Sequence, residues 1–467
     1  MTVWGSAQIL TQSEIECIEA EAFRLLSEVG VRVEHEELLQ ALQEAGARTD
    51  GQVVRFPHFW MERFLRESQR VEEDFSSAFE CSAGAYPQFF LPPGSQTPQP
   101  HSLATMGGMV RLADRLPNID IVYSGMGIPS DVPPRTIELH QRLLRWKYFK
   151  PYRHPLAGFR PHHNGPSVVT EPSMCRYAAE MGEIMASDQG GSPRDYCYAD
   201  TYLNSPLYFN RKEAELFFTL QGLDLHCDVG TVVTLGGSGP VTFSAALPLQ
   251  LAEILFVNAL QRIFYGEGTL NFAAVLAPID MRRGTFRYGR PELSLGILAM
   301  GQLARRYGAL FNACSFFCDA PLPSAAAGWQ KATSALSAVF AGSTGTGTCG
   351  LLSVDEVGSP EQLIIDSEYA GALKRLARGS SLREGDSATE LAAQVGHGGN
   401  FLAEPHTAEH CRELWEPGLF GSAAIEPELI RELWEQSLRD SGPGYIREDT
   451  EKALRQVIRK AERELRC

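Results

Sequence analysis

The chain has 467 residues with 42 Lys+Arg against 57 Asp+Glu, a formal charge of −15, which argues against the basic stripe of a nucleic-acid binder and against a polybasic membrane anchor. Hydrophobic residues at 44% and charged residues at 21% are close to ordinary globular usage, so a large core can be buried and wholesale disorder is excluded. No run approaches the ~18 consecutive apolar residues of a membrane span, and the opening MTVWGSAQILTQSEIE lacks the basic flank and apolar stretch of a secretory leader. A cytoplasmic protein is expected, with neither membrane nor nucleic acid as partner. Its ten cysteines form no CxxC and are expected to stay reduced, mostly as buried apolar residues. Cys314 and Cys318 are the one close pair, and nothing in the spacing supplies the further ligands that zinc requires, so no metal is assigned.

The first 80 residues read as a helical cap. Leu10–Val29 carries apolar residues at helical spacing behind Thr11, with Glu14 three residues on as a capping box wants. Gly30 stops it. A second short helix ends near Gly46, TDGQVVRFP has the turn-led, β-branched look of a small hairpin, and Phe59–Arg70 is again helical.

From residue 81 to about 380 short β-rich runs alternate with longer helical stretches. The runs are Ala85–Leu91, Ile119–Gly125, Arg153–Gly158, Tyr196–Tyr202, Leu225–Leu235, Leu270–Ala277, Leu310–Phe317 and Thr346–Val354. Strand-then-helix alternation implies right-handed crossovers and a parallel sheet. Eight units in some 300 residues match a closed (β/α)8 TIM barrel, with a doubly wound open sheet as the alternative. Residues 381–467 read as a helical extension ending in an amphipathic helix with interleaved acid and base, suited to covering the barrel or a subunit interface.

In such a barrel the active site lies at the C-terminal ends of the strands. Those ends carry Asp200, Asp280 and Asp319, the candidate catalytic carboxylates, among aromatic neighbours Tyr123, Tyr202, Tyr208, Phe272, Phe317 and Trp329. An acidic, aromatic mouth suits a cation, because a quaternary ammonium offers no hydrogen-bond donor and is held by ring faces and nearby charge. The plainer reading is that many of these rings simply fill the barrel. His226, beside Asp228, is a further candidate for contact with substrate. Two glycine-rich stretches, Gly236-Gly237-Ser238 and the run containing Gly345 and Gly347, would let a flat cofactor approach the backbone closely, or merely relieve crowding. Neither matches a phosphate-binding pattern, and no GxSxG marks a nucleophile elbow.

Several stretches resemble the trimethylamine methyltransferase (MttB) family, including its non-pyrrolysine members of the glycine betaine–corrinoid type. They are LLSEVGVRVEHEELLQALQEAGARTDGQVVRFP, VRLADRLPNIDIVYS at 110–124, GGSGPVTFSAALPLQLAE at 236–253, APIDMRRGTFRYGRPE at 277–292, EQLIIDSEYAGALKRLARG at 361–379 and VGHGGNFLAEPHTAEHCREL at 395–414. The resemblance runs almost end to end. It implies a TIM barrel that takes a methyl group from a methylated amine and passes it to the Co(I) corrinoid (cobalamin) of a separate corrinoid protein, with no cofactor of its own tightly bound. Only standard residues occur, so the resemblance points to a quaternary amine such as glycine betaine, proline betaine, carnitine or choline rather than trimethylamine. A betaine carboxylate would want Arg282, Arg283 or Arg287, whose forked guanidinium pairs with two oxygens at once. A homo-oligomer is also expected. Family members usually carry TDAKxxDxQAGYE after the seventh strand; here Cys318–Gln330 reads CDAPLPSAAAGWQ, and Asn400 stands where histidine is common. Those departures leave two other readings open: a diverged barrel that binds a small cation as a sensor or scaffold, and a zinc-dependent methyl transfer at Cys318.

Overall fold

Thr11 opens the first helix, α1 (Gln12–Arg24), with the expected capping box: its hydroxyl accepts from the Glu14 N–H while the Glu14 carboxylate accepts from the Thr11 N–H. A wider turn over Leu25–Val29 ends at Gly30, whose φ of 80° and approach to the neighbouring strand leave no space for a side chain; a Cβ there would sit 2.4 Å from the Val54 carbonyl oxygen. β1 (Val31–Val33), α2 (Glu36–Glu44), the hairpin β2 (Arg48–Asp50) and β3 (Val53–Arg55), and α3 (His58–Arg66) follow. The computed structural model describes residues 1–71, 75–122, 124–151, 171–382, 387–419, 426–439, 442 and 444–465.

The remainder is an α/β arrangement. In chain order it comprises β4 (Glu80–Ala83), β5 (Phe89–Phe90), β6 (Gln99–Pro100), α4 (Leu103–Arg115), β7 (Ile121–Val122), α5 (Ile137–Tyr148) and α6 (Pro172–Gln189). Next come β8 (Tyr198–Leu203), β9 (Tyr208–Phe209), α7 (Arg211–Gly222), β10 (His226–Leu235), α8 (Phe243–Tyr265), β11 (Asn271–Asp280), β12 (Thr285–Phe286) and α9 (Pro291–Tyr307). The last are β13 (Leu310–Ala313), α10 (Ala325–Ala341), β14 (Gly345–Cys349), β15 (Leu351–Leu352), β16 (Val357–Gly358), α11 (Pro360–Arg378), α12 (Ala388–Val395), α13 (Pro405–His410), α14 (Pro427–Arg439) and α15 (Glu448–Glu464).

Seven parallel strands form two arcs. One runs β8, β10, β11, β13, with Thr231 opposite Ala274 and Asn271 opposite Leu310; the other runs β14, β4, β7, with Gly345 opposite Glu80 and Ser82 opposite Ile121. The arcs meet at the β13–β14 seam, where Thr344 N–H donates to the Phe311 carbonyl and Ala313 N–H to Ser343 Oγ. Among the described residues the ring is not closed between β7 and β8. The run Arg153–Gly158, expected as a strand at that place, lies outside the described residues, so the closed eightfold barrel is seen only as these two arcs.

One expected strand is corrected. The parallel strand is Glu80–Ala83 rather than Ala85–Leu91, because Gly84 takes φ of 83° and turns the chain. Phe89–Phe90 instead lies in a separate small sheet, antiparallel to Gln99–Pro100 and parallel to Val357–Gly358.

Packing explains where stability resides. The strand faces turned to the helices carry Cys227, Val229, Val233, Phe272 and Leu276, which share one apolar core with Phe256 and Leu260 of α8 and with Ile15, Leu26, Phe56 and Trp60 of the N-terminal segment. α8 is apolar enough over its length to resemble a membrane span, but 83% of that stretch is buried inside the protein; it is the central core helix. β1 pairs parallel with β9, tying the N-terminal residues to the chain beyond β8. At the other end Trp434 of α14 lies against Gly108 of α4, and Lys147–Glu451 and Lys460–Glu180 pairs clip α15 onto α5 and α6.

Candidate active site

The strands alternate, as period-2 geometry demands. Along β10 the helix-facing residues are buried, whereas Asp228, Gly230 and Val232 are half-buried on the opposite, inner face. Asp200 and Tyr202 of β8, Asn271, Ala273 and Val275 of β11, Asn312 and Cys314 at β13, and Gly347 of β14 share that inner side and line a cavity of about 320 Å³. Tyr86, Glu267, Tyr288, Phe317, Thr348 and Asp355 also line it, and α8 contributes Ile254, Val257, Asn258 and Gln261. A TIM barrel is ordinarily filled here by branched apolar side chains; here Val232 and Val275 are joined by glycine, alanine, polar and aromatic residues around a hollow. Gly230 is required for the arrangement, since a Cβ there would lie 2.6 Å from Cε1 of Tyr202.

The electrostatics are one-sided. Four lining residues carry carboxyl groups, Asp200, Asp228, Glu267 and Asp355, and none of the described lining residues is Lys, Arg or His. Burial, then the neighbouring Glu356, pushes the Asp355 carboxyl above its usual range. Tyr86 beside Tyr202 pushes the latter's phenol well above its ordinary range, with burial adding to the effect, so the Tyr202 hydroxyl stays protonated. Burial pushes the Cys314 thiol up to about 12, which leaves it an unreactive wall residue. Tyr288 and Phe317 stack with ring centroids 4.1 Å apart and planes 13° from parallel, and the Tyr288 N–H donates to Asp319.

Of the residues singled out from the sequence, Asp200, Tyr202, Phe317 and Gly347 meet in this cavity. Tyr123 lies outside the described residues. His226 sits just behind the wall, its Nε2 3.0 Å from Asp228 and its Nδ1 3.5 Å from Glu267; it holds two lining carboxylates rather than lining the cavity. Asp319 likewise acts through the Tyr288 backbone.

The others lie elsewhere, each for a definite reason. Phe272 falls one residue out of the inward alternation and packs against Tyr307 in the helix-facing core. Tyr208 is drawn off by the β1–β9 pairing and sits beside Arg32. Asp280, Arg282 and Arg287 belong to the hairpin joining β11 to β12, where Asp280 accepts from the Arg282 N–H and pairs with the Arg287 guanidinium at 3.1 Å; these contacts hold the Asp280 carboxyl below its usual range. Gly236, Gly237 and Ser238 fold back on their own strand, with Thr234 N–H donating to Ser238 Oγ and Gly237 N–H to the Thr234 carbonyl. Gly345 serves strand contact, a Cβ there meeting the Glu80 carbonyl oxygen at 2.6 Å. Trp329 is half exposed at the start of α10.

Reading only the strand ends pointed to Asp355 but missed Tyr86, Asp228, Glu267, Asn271, Tyr288, Asn312 and Cys314. A signal was available for several: Asp228-x-Gly230, Asn271-x-Ala273 and Asn312-x-Cys314 put polar or small residues at alternate positions of otherwise apolar strands.

Comparison with known proteins places this geometry in context. Residues 3–76 and 99–465 match the family described as trimethylamine methyltransferase (MTTB). Glycine betaine methyltransferase of Desulfitobacterium hafniense (strain Y51) is 24% identical over 486 aligned residues, covering 96% of each chain. Trimethylamine methyltransferase MttB1 of Methanosarcina acetivorans is 23% identical over 429 residues, covering 86% of this chain and 82% of its own. Among solved structures, the monomethylamine methyltransferase MtmB of Methanosarcina barkeri aligns with a TM-score of 0.47 and 9% identity, over 97% of this chain and 93% of that one.

Proposed function

Because the chain belongs to the trimethylamine methyltransferase family and is a methyltransferase, we propose that it takes a methyl group from a quaternary ammonium compound and delivers it to the Co(I) corrinoid of a separate protein. The observation that carries this reading is the hollow lumen, where four carboxyl-bearing residues and the Tyr86, Tyr202, Tyr288 and Phe317 rings surround one cavity. Ring faces and carboxylates are the means of holding a cation that donates no hydrogen bond. The methyl–nitrogen bond breaks with its electron pair retained by nitrogen, and the amine departs neutral; no general acid is needed, in keeping with a wall of unreactive thiol and phenol groups. When presented, the corrinoid supplies the nucleophile that accepts the methyl group. The chain's own work is then to desolvate, orient and neutralise: the Phe317–Tyr288 stack bounds the methyl groups, and Asp200, Asp228 and Asp355 balance the ammonium charge.

The mouth suits a docked protein. Val241, Met281 and Trp329 follow the C-terminal ends of β10 and β11 or open α10, and each is more than half exposed, an apolar rim able to meet a large flat ring and its carrier. A betaine carboxylate would be met at this rim, by Arg282 or Arg287, rather than in the lumen. We further take the two arcs as parts of a closed (β/α)8 barrel spanning 81–380, with residues 1–80 as cap and 381–467 as extension, in a cytoplasmic homo-oligomer.

Calorimetric titration with glycine betaine, proline betaine, carnitine, choline and trimethylamine tests the proposal. One quaternary amine should bind selectively, and Asp200→Asn should weaken it by roughly tenfold or more. Absence of binding by all five, or equal affinity in the variant, overturns it.

A further inference from the structure

Lys331, in α10, is buried completely, and all three of its ammonium protons have partners: the Phe316 carbonyl at 2.9 Å, the Thr348 carbonyl at 3.3 Å and Asp366 Oδ2 at 2.9 Å. The Phe316 ring also covers the ammonium, 5.0 Å from ring centre to nitrogen. Asp366 of α11, equally buried, accepts from the Gly350 N–H and from Gln362 Nε2, each at 2.7 Å.

The two carbonyls that Lys331 grips belong to residues with unusual backbones. Phe316 has φ of 72° and Thr348 of 68°, the left-handed region that a bulky or β-branched residue rarely enters. Such conformations persist only where the surroundings over-determine them, and they cluster at functional sites. Here they occur where β13 and β14 give out, and they turn the wall of the cavity: Phe317 and Thr348 both line it, Phe317 stacks on Tyr288, and the Thr348 hydroxyl donates across to the Ser315 carbonyl. A buried ion pair is a weak source of stability, since desolvation offsets most of the attraction. Its placement behind Thr348 of the cavity wall and behind Phe316, which precedes the wall residue Phe317, calls for a different role.

We propose that Lys331 and Asp366 form a positioning pair that holds Phe316 and Thr348 in their left-handed conformations and so sets the aromatic wall that bounds the methylated ammonium ion. The pair acts through the wall and touches no substrate. The inference rests on the reading of the lumen as that ion's site, but its structural half is testable without any ligand.

The experiment uses Lys331→Met and the double variant Lys331→Met/Asp366→Leu. The latter replaces the pair with apolar groups of similar size, a change that buried pairs often tolerate. Crystal structures of the variants should show the Phe317–Tyr288 stack lost and Phe316 or Thr348 out of the left-handed region. With tetramethylammonium as calorimetric probe, affinity should fall about tenfold, and in methyl transfer KM should rise about tenfold with kcat changed far less. Leu38→Ala, a core truncation in α2 remote from the lumen, should lower the melting temperature and leave affinity and KM unchanged. An intact stack in either folded variant overturns the proposal, as does an affinity loss shared by Leu38→Ala. Failure of both variants to fold also counts against it, for the pair would then hold the fold rather than the wall. If the wild-type protein ignores tetramethylammonium while the stack collapses in the variants, it is the ammonium reading that fails and not the positioning.

Discussion

The two faces of the same strands are built from different chemistry. Towards the helices, Val233 and Leu276 pack against α8 and α9 in a continuous apolar shell; towards the axis, Asp200, Tyr202, Asp228, Asn271, Asn312 and Cys314 border an open cavity. Burial of apolar area stabilises at about 25 cal/mol per Å², and here it is gathered on the outer face, leaving the inner face free to carry groups that would destabilise a packed core. The lesson is a division of labour within single strands: the shell holds the fold and the lumen holds the chemistry.

Truncation in the shell should break that division most severely. Phe256 is fully buried in α8 with Phe56 6.1 Å away. Phe256→Ala is expected to cost about 3–5 kcal/mol in urea unfolding while the folded fraction binds its cation normally; a small cost would show that the shell does not dominate stability.

Glu80, a buried carboxyl outside the lumen, sharpens the contrast. It is buried at the start of β4, and burial together with nearby Asp120 pushes its carboxyl up to about 8. A carboxyl raised in the folded state binds more protons than the unfolded chain between about pH 4.5 and 8, so its contribution to stability declines as pH rises through that window and is flat above it. Glu80→Gln should remove the decline, with the largest gain over wild type, on the order of a few kcal/mol, at pH 8 and a vanishing one near pH 4.5. Urea midpoints of both proteins across that range provide the check, and parallel curves would refute the assignment.

Gly230→Ala probes the lumen. The added methyl collides with the Tyr202 ring, and overpacking costs about 1–3 kcal/mol, but ligand affinity should suffer more than stability does. A variant that melts early yet binds quaternary ammonium like wild type would mean that Tyr202 does not hold the ligand.

The smallest expected effect is a lack of reaction. Cys17 and Cys411 are exposed, whereas Cys314 borders the cavity with its thiol pushed up to about 12. At pH 8 iodoacetamide should modify the first two and spare Cys314, as peptide mass spectrometry would reveal. Ready labelling of Cys314 would contradict a desolvated lumen.

Much of the fold was legible in local chemistry. The Thr11–Glu14 capping box, the Gly30 stop, the 48–55 hairpin and the runs that became β8, β10, β11 and β13 follow from capping groups, turn residues and β-branched content acting over a few neighbours. The first parallel strand was displaced because Phe89 and Phe90 look like core strand residues, and nothing local says that one of their partners is the distant 357–358 segment. Phe272 shows the same weakness at the site: its type suits a ligand cage, but a step of one residue sends it to the helix side.

The sequence by itself determined the alternation of strand and helix, the net acidic charge, and the family to which the chain belongs, because these reside in residue type and short-range spacing. Only the tertiary structure decided which alternate residues face the axis, that glycines at 230 and 347 leave that axis hollow, and that Lys331 meets Asp366 behind the cavity wall. Each of these depends on contacts between segments far apart in the chain, where register and packing, rather than local preference, set the side-chain direction.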